Sequence, residues 1–257
     1  MSSPPVQGQA GEHAATTVYP GHRVIAMCPF HNEQDKLALL VGKLRPGLVD
    51  RWLPVDDGST DDGPALLRQH GIEPLRQPAR RGIGAAIKAV VRYARANGYD
   101  ILVVMAGNNK DDPAEIPRLL APILESDVDY VQGSRFLAGG SSPHLPLFRR
   151  IAIQMLSLVF SAYSRRSCTD LTNGFRAYRL GLFDDRRIDI EQDWLDGYDY
   201  EYYVHWKVYT LGYKVAEVPV TKTYPRVKGV EYTKIRPITG WWEMLRPFVL
   251  LALRIKK

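Results

Sequence analysis

In DILVVMAGNNKDDPAEIPRLLAPIL, residues 100–124, a short apolar run ends in small amides, a lysine and two aspartates, and a helix pattern follows. The apolar run predicts a buried strand, because strands covered on both faces are apolar throughout. Pro113 stands near the start of the helix pattern, a position that proline favours. The stretch therefore predicts a strand, a polar loop at its carboxyl end, and a helix.

The same alternation of strand and helix patterns continues on both sides of this stretch. Further strand patterns lie at residues 23–29, 51–55, 72–77 and 128–134. Helix patterns lie at residues 32–44, 64–70 and 82–98. Alternating elements of this kind predict an α/β fold with a mostly parallel, twisted sheet and helices on both faces. In such sheets, ligands bind beyond the carboxyl ends of the strands.

The second half of the chain is less regular. A helix pattern at 147–166 is followed by CTDLTNGFRAYR at 168–179, an aromatic helix pattern at 198–212 and a strand pattern at 214–225. The N-terminal segment has low apolar content, which is typical of a disordered tail. We expect a tail at residues 1–22, one compact domain at residues 23–236, and a C-terminal amphipathic segment at residues 237–257.

Composition narrows the class of protein. The 257 residues carry a net charge of +6, which suits an anionic ligand, a phosphate-rich surface or an acidic membrane. Cys28 and Cys168 belong to no zinc-binding pattern, and no signal peptide or membrane-spanning run of about 20 apolar residues is evident. No nucleic-acid motif accompanies the charge. We expect a cytoplasmic protein. Whether it also makes peripheral contact with the inner face of the membrane is an open question at this point.

The C-terminal segment WWEMLRPFVLLALRIKK, residues 241–257, bears on that membrane contact. It combines paired tryptophans, an apolar stripe and a basic end. Such a segment can lie in a membrane interface. It can equally pack on its own domain or on a second subunit, and the sequence leaves these alternatives open.

Three strand ends in the first half carry polar clusters: CPFHNEQDKL at 28–37, VDDGSTDDG at 55–63 and PARRGIGAAIK at 78–88. Glu33 can accept hydrogen bonds from a ligand, and Asp56 and Asp57 form an acceptor pair beside a helix N-terminus, which favours phosphate. Arg80 and Arg81 favour an anion near the glycines. Each cluster also has a structural alternative: a helix cap for the first, an Asx turn for the second and a solvated basic loop for the third.

Together with VVMAGNNKDDP (103–113), VQGSRF (131–136) and DLTNGFRAYR (170–179), these clusters resemble the inverting family 2 glycosyltransferases of GT-A fold. The polyprenyl-phosphate sugar transferases, such as dolichyl-phosphate mannosyl- and glucosyltransferases, are the members most similar. The resemblance covers about residues 24–234. It implies a Rossmann-like hexosyltransferase with a donor half at about 23–135 and an acceptor half at about 136–236. The implied donor is a UDP- or GDP-linked nucleotide-diphospho-sugar, and the acceptor is a polyprenyl phosphate or a small-molecule or glycan hydroxyl.

The resemblance also implies a set of donor-binding residues. Arg80 departs from the family pattern, in which many members carry asparagine. The implied donor-binding residues are Pro29, Phe30, Glu33, Asp56, Asp57, Ser59, Arg80, Gly82, Gly84, Ala106, Gly107, Asn108, Arg226 and Lys234.

The family's metal-binding motif, Asp-X-Asp with a following glutamine, is altered here. A gapless match puts Ala106, Asn108 and Lys110 at those three positions. Mg²⁺ and Mn²⁺ prefer anionic oxygen ligands, whereas a lysine can place its own charge on a diphosphate. We therefore favour metal independence, with Lys110 and Arg80 replacing part or all of the metal's role. A match shifted by one residue would instead put Gly107, Asn109 and Asp111 at the three motif positions. If a metal is bound, Asn108 and Asp111 are its candidate ligands.

On the acceptor side, the resemblance implies that arginines bind the acceptor phosphate. The candidates are Arg135, Arg149, Arg150 and Arg176. A serine expected one turn further on is absent, since Ile153 and Gln154 stand there. A phosphate acceptor needs no strong base, but a hydroxyl needs a carboxylate to take its proton. Asp170 and Glu201 are the candidates for that role and, with Lys110, form the predicted catalytic set. The alternative for Asp170 is a turn or helix cap, and the alternative for Glu201 is a solvated helix face.

Two other functions remain as alternatives. One is a catalytically silent protein that binds nucleotide sugars. The other is a nucleotidyltransferase, which would need a basic glycine-rich loop near its N-terminus, and CPFHNE lacks that loop.

Overall fold

The fold is described from a computed structural model, which covers residues 17–224 and 239–256. The strands in these ranges are β1 (Val24–Met27), β2 (Pro29–Phe30), β3 (Arg51–Trp52), β4 (Val55–Asp56), β5 (Leu75–Arg76), β6 (Ile101–Val104), β7 (Tyr130–Ser134), β8 (Arg176–Arg179) and β9 (Val215–Pro219). The α-helices are α1 (Gln34–Val41), α2 (Gly63–Gln69), α3 (Ile83–Ala96), α4 (Ile116–Ser126), α5 (Leu147–Ser164), α6 (Asp199–Thr210) and α7 (Thr239–Ala252).

The main sheet has six strands in the order β3-β1-β6-β8-β7-β9. All its pairings are parallel except those of β8, which runs antiparallel to both β6 and β7. A second, parallel sheet of β2, β4 and β5 continues from the end of β1. The predicted α/β fold with a mostly parallel sheet is confirmed. Because β8 comes from the predicted acceptor half and pairs with two strands of the donor half, the halves share one sheet.

Alternate residues along the central strands enter two separate cores. Leu102 and Val104 of β6 pack on one face of the sheet, in the core that includes Ile87 and Val90 of α3. Ile101 and Val103 pack on the other face, with apolar residues of α1, α2 and α4. This division explains the unbroken apolar run, since a strand with helices on both faces has no side exposed to water.

Helix boundaries differ from the predicted ranges where the backbone turns sharply. The pattern at 32–44 predicts a longer helix than α1, which begins only after Asn32 because that residue has a positive φ of 51°. Asn109, in the loop that follows β6, has φ 58°. Asparagine tolerates this left-handed conformation better than most residues, and both asparagines turn the chain where a strand ends.

The ends of the domain also differ from the predicted boundaries. Residues 17–22, predicted to belong to the tail, contact the domain: the Val18 N–H donates to Asp50 (2.7 Å), and the Tyr19 hydroxyl donates to the carbonyl of Leu48 (3.2 Å). At the other end, α7 packs on the domain through Phe248, whose ring lies 5.4 Å from that of Phe160. No helix in the described parts of the chain is long and apolar enough to cross a membrane.

Candidate active site

A cleft of about 400 Å³ opens beyond the carboxyl ends of β2 and β6. Many of its lining residues come from the three polar clusters and the quoted loop, because parallel strands bring their carboxyl ends to one edge of the sheet. The predicted site residues that line it are Pro29, Phe30, Glu33, Asp57, Arg80, Gly82, Ala106, Gly107, Asn108, Lys110 and Glu201. The lining residues that the sequence did not single out are His31, Ile83, Val104, Met105, Gly174, Gly197, Tyr198 and Lys222.

The two aspartates of VDDGSTDDG have different positions. Asp57 lines the cleft, and its carboxylate accepts hydrogen bonds from the N–H groups of Arg81 (2.7 Å) and Gly82 (2.9 Å). Asp56 is fully buried and accepts a bond from the Ser59 N–H (2.7 Å). Asp56 and Ser59 brace the loop and do not line the cleft, and their role in donor binding stays a prediction.

The two glycines of the RRGIGAA segment serve different purposes. Gly82 lines the cleft with φ 106°, a conformation that glycine readily adopts. A Cβ atom on Gly84 would lie 1.9 Å from the carbonyl oxygen of Leu195. Gly84 therefore lets α3 pack against the segment before α6. It does not line the cleft, and its role in donor binding stays a prediction.

In the loop that follows β6, the carboxylate of Asp111 forms an ion pair with Lys222. Oδ2 of Asp111 accepts a bond from the Ala106 N–H (2.8 Å), and Oδ1 accepts one from Nζ of Lys222 (2.5 Å). Lys222 also donates to Oδ1 of Asn173 (3.1 Å). Lys222 reaches this position because β9 runs beside β7 and delivers the following residues to the same edge of the sheet.

Lys110 lies beside this pair and is 8% exposed. Burial lowers the pKa of Lys110 to about 7, and repulsion from Lys222 contributes to the shift while Asp111 opposes it. Its Nζ is 5.2 Å from the centre of the Tyr224 ring. The cleft therefore holds two buried lysines, one of which changes its charge near neutral pH.

The residues at this position do not fit a divalent metal ion. Among the described residues, no group of three or more His, Cys, Asp or Glu side chains is arranged to hold one. Ala106 offers no side-chain ligand, and the carboxylate of Asp111 is bound to the ammonium group of Lys222. A second cation at Asp111 would have to displace Lys222 and lie close to Lys110, so we derive no chemical step through a metal.

Glu201 projects into the cleft from the first turn of α6. It is 7% exposed, and its Oε1 has no hydrogen-bond partner in the described part of the chain. A Cβ atom on Gly174 would lie 2.8 Å from this oxygen, so the glycine leaves the room that the carboxylate occupies. Glu201 thus brings a carboxylate to the wall of the cleft, with Oε1 buried against Gly174, and its role as a base stays a prediction.

Asp170 is fully buried in an ion pair with Arg135. Nε and Nη2 of Arg135 each lie 2.6 Å from a carboxylate oxygen of Asp170. Nη2 also donates to Thr172 (2.8 Å), and Nη1 donates to the hydroxyl of Tyr224 (2.5 Å). Asp170 thus lies outside the cleft, and Arg135 is bound to internal partners. The roles of Asp170 as a base and of Arg135 as a ligand of the acceptor phosphate stay predictions.

Arg176 is 1% exposed and lies beneath the cleft. Its guanidinium group donates to the backbone carbonyls of Asn173 (2.8 Å), Glu201 (2.7 Å) and Leu171 (3.3 Å). Arg176 has almost no exposed surface, and its contact with the acceptor stays a prediction. It ties the NGFR segment to the helix that carries Glu201.

The remaining predicted arginines lie at the start of α5 and do not line the cleft. Arg150 is exposed and donates to Oγ of Ser142 (3.3 Å). Arg149 is partly exposed, and its charge contributes to lowering the pKa of Lys110. Arg226 and Lys234, predicted to approach the donor diphosphate, lie outside the described residues.

Some of the lining residues that sequence reasoning missed had a local signal. Lys222 lies near the end of the strand pattern at 214–225, and the end of a strand is the edge where ligands bind. Gly197 and Tyr198 immediately precede the aromatic helix. Val104 and Met105 resemble ordinary core residues, and nothing in the sequence distinguishes them.

Comparison with known proteins agrees with this fold. The model of the family "Glycosyl transferase family 2" matches residues 26–187. The polyprenol monophosphomannose synthase of Mycolicibacterium smegmatis is 31% identical over 234 residues, which cover 87% of this chain and 86% of that protein. The undecaprenyl-phosphate mannosyltransferase of Micrococcus luteus is 31% identical, over 77% of this chain and 83% of that protein.

The fold is also similar to that of a solved enzyme with low sequence identity. A crystal structure of glucosyl-3-phosphoglycerate synthase from Mycobacterium tuberculosis, in complex with Mn²⁺, UDP and glucosyl-3-phosphoglycerate, superposes with a TM-score of 0.63. It is 18% identical and covers 95% of this chain and 86% of its own. The chain belongs to glycosyl transferase family 2 and is a hexosyltransferase of GT-A fold that uses a nucleotide sugar.

Proposed function

We propose that this enzyme inverts the anomeric carbon as it moves a hexosyl group from a UDP- or GDP-linked sugar to a polyprenyl phosphate. One observation carries the proposal: the cleft combines Asp57 with two buried lysines, Lys110 and Lys222, at the carboxyl edge of the sheet. The two bacterial relatives at 31% identity are named for polyprenol monophosphomannose and undecaprenyl phosphate. These names favour a lipid-linked phosphate as the acceptor.

The lining residues suggest how the donor lies in the cleft. We infer that the nucleoside lies beside Pro29, Phe30 and Asp57, and that the diphosphate lies toward Lys110 and Lys222. The lysine end of the cleft is cationic and suits the diphosphate, while the Asp57 end offers an acceptor to hydroxyl and N–H groups. Arg80 also lines the cleft and adds positive charge.

The reaction needs stabilisation of the leaving group more than it needs a base. An oxygen of the acceptor phosphate attacks the anomeric carbon from the side opposite the nucleoside diphosphate. The bond from that carbon to the diphosphate oxygen breaks, and its electron pair stays on the diphosphate. Negative charge therefore grows on the leaving group, and fixed cations at Lys110 and Lys222 stabilise it.

We further infer that this stabilisation is independent of a divalent metal. The altered motif supports the inference, since Ala106 and Lys110 replace residues that the resemblance predicts as metal ligands. The ion pair of Lys222 with Asp111 supports it independently, because it occupies the nearest carboxylate. Lysine can bind phosphate directly as a point charge.

A hydroxyl acceptor is the second candidate, and Glu201 is the observation that favours it. The carboxylate of Glu201 lines the cleft, and a carboxylate there is suited to take a proton from an attacking hydroxyl. The acceptor class therefore decides whether Glu201 is essential. For a phosphate acceptor, Glu201 would bind the sugar rather than remove a proton.

A panel of nucleotide sugars, with and without EDTA, tests the proposal. Stabilisation against thermal unfolding by one donor would identify base and sugar together, since a ligand that binds the folded state raises its stability. That donor is then incubated with a polyprenyl phosphate and with the matching polyprenol. We expect transfer to the phosphate alone; binding without transfer would indicate a silent binding protein, and no response to any donor would refute the proposal.

A further inference from the structure

Helix α5 exposes large apolar side chains to solvent along its whole length. Seven of the twelve exposed large apolar residues in the described chain belong to this one helix, which sets it apart from scattered surface exposure. Each is between 52% and 70% exposed. We call these residues the α5 face: Leu147, Phe148, Ile151, Met155, Leu158, Val159 and Tyr163.

The α5 face forms a continuous strip. Its members recur at intervals of three and four residues, which puts them on one side of a helix with 3.6 residues per turn. Ile153, Ser157 and Phe160 lie on the opposite side and are buried. At about 1.5 Å per residue the 18-residue helix is about 27 Å long, so the strip extends across a large part of the domain surface.

The segment of the chain that contains this strip is rich in arginine and has no carboxylate. Residues 130–169 include five arginines and no aspartate or glutamate. Arg149 and Arg150 lie at the start of α5, and Arg165 and Arg166 follow its end. Exposed Arg254 and Lys256 follow α7, which contacts α5 through Phe248.

We propose that the α5 face docks the enzyme on the surface of a bilayer that contains anionic lipids. Apolar side chains that cover one side of a helix enter the boundary of the acyl region, and flanking arginines bind anionic head groups. A second copy of the chain fits less well, because a two-fold interface brings the same patch from both copies together. Such an interface would oppose the arginines of the two copies, with no carboxylate in residues 130–169 to pair with them.

The position of α5 also suits a lipid-linked acceptor, and this step rests on the proposed function. Arg150 in the first turn of α5 donates to Oγ of Ser142 (3.3 Å), and the carbonyl of the adjacent Ser141 accepts a bond from the N–H of Lys222 (3.0 Å), which lines the cleft. The first turn is therefore the end of the strip nearest the cleft. A polyprenyl phosphate in the docked bilayer would present its phosphate to the cleft from this end while its chain stays among the lipids.

Sedimentation with vesicles tests the docking without donor or acceptor. The vesicles are phosphatidylcholine alone, or phosphatidylcholine with phosphatidylglycerol. The test variant is Met155→Glu/Leu158→Glu, and the matched control is Leu39→Glu, an apolar residue of α1 that is 58% exposed. We expect the wild type and the control to sediment with the anionic vesicles, and the double variant to bind at least about tenfold more weakly.

Two results would overturn the proposal. One is equal vesicle binding by the double variant and the wild type. The other is that light scattering shows the wild type as a dimer and the double variant as a monomer, while neither protein binds vesicles. This result would assign the α5 face to a second copy. Unfolding temperature and donor-induced stabilisation of each variant show that its fold and cleft are intact, so failure of docking is distinguishable from failure of the proposed function.

Discussion

Nζ of Lys222 lies 2.5 Å from Oδ1 of Asp111, although 111 positions separate the two residues in sequence. The pair neutralises the buried carboxylate of Asp111 and holds a cation at the carboxyl edge of the sheet. A lysine from the segment after β9 thus supplies positive charge where a divalent ion would need anionic ligands.

Removing Lys222 should affect both stability and donor binding. Lys222→Met leaves Asp111 buried without its cation, which should cost about 3–5 kcal/mol of unfolding free energy. The double variant Asp111→Asn/Lys222→Met should regain most of that stability in urea unfolding. We expect both variants to bind the donor at least about tenfold more weakly, since the diphosphate loses a cation. Wild-type donor affinity in the double variant would mean that Lys222 has only a structural role.

Donor affinity should depend on pH through Lys110. Because its pKa is lowered to about 7, Lys110 is charged below that pH and neutral above it. The anionic diphosphate favours the charged form, so donor binding should take up a proton. Affinity should fall as pH rises above 7, approaching about tenfold per pH unit for one proton. Calorimetry in buffers of different ionisation enthalpy measures the uptake.

Lys110→Arg provides the control for this pH dependence, because arginine stays charged throughout the range. Its donor affinity should be nearly constant from about pH 6 to about pH 8. Lys110→Met should bind weakly at every pH. A wild-type pH profile in Lys110→Arg would assign the proton to another group.

Glu201→Gln distinguishes the two acceptor classes. With a polyprenyl phosphate the acceptor oxygen is already anionic, so the variant should keep kcat within about threefold of the wild type. With a hydroxyl acceptor, loss of a general base should lower kcat by about 10²–10⁴-fold. The initial rate at saturating donor is the measurement, and a hundredfold loss on polyprenyl phosphate would contradict the proposed role of Glu201.

The pair of Arg135 and Asp170 should be structural. Asp170→Asn leaves the buried guanidinium group without its anion and should cost about 3–5 kcal/mol of stability. Activity per folded molecule should change little, because neither residue lines the cleft. An unchanged unfolding free energy with a collapsed kcat would restore Asp170 to the catalytic set.

Gly84→Ala should destabilise the protein severely. The added Cβ would lie 1.9 Å from the backbone carbonyl oxygen of Leu195, and backbone on both sides must shift to admit it. Gly181→Ala is the matched control, since the nearest atom to its added Cβ is 4.0 Å away. In thermal unfolding we expect a large loss for Gly84→Ala and a change within about 1 kcal/mol for the control. Similar unfolding temperatures for the two variants would contradict this packing.

The sequence predicted the parts of the fold that depend on local pattern. The apolar run at 101–104 and the amphipathic pattern of α3 correspond to a strand and a helix in the structure. Asp57 and Lys110 both line the cleft, as expected of residues that follow strands of a parallel sheet. Periodicity and strand ends are local features, so they can be read without knowledge of the tertiary contacts.

Side-chain roles that depend on distant partners could not be predicted in this way. The resemblance implies that Arg135 and Arg176 bind the acceptor phosphate, but no local pattern predicts that one pairs with Asp170 and the other with three backbone carbonyls. Lys222 becomes part of the cleft only because β9 lies beside β7. No local pattern specifies which charge is buried with which partner, since that follows from the order of strands in the sheet.

The most direct test of the lysine-based site is sugar transfer to polyprenyl phosphate with and without a chelator. We expect the initial rates in EDTA, in Mg²⁺ and in Mn²⁺ to agree within about twofold, because lysines supply the charge that stabilises the leaving diphosphate. For the same reason, we expect Lys110→Met to lose activity under all three conditions. Activity that EDTA abolishes and Mg²⁺ or Mn²⁺ restores would contradict this account.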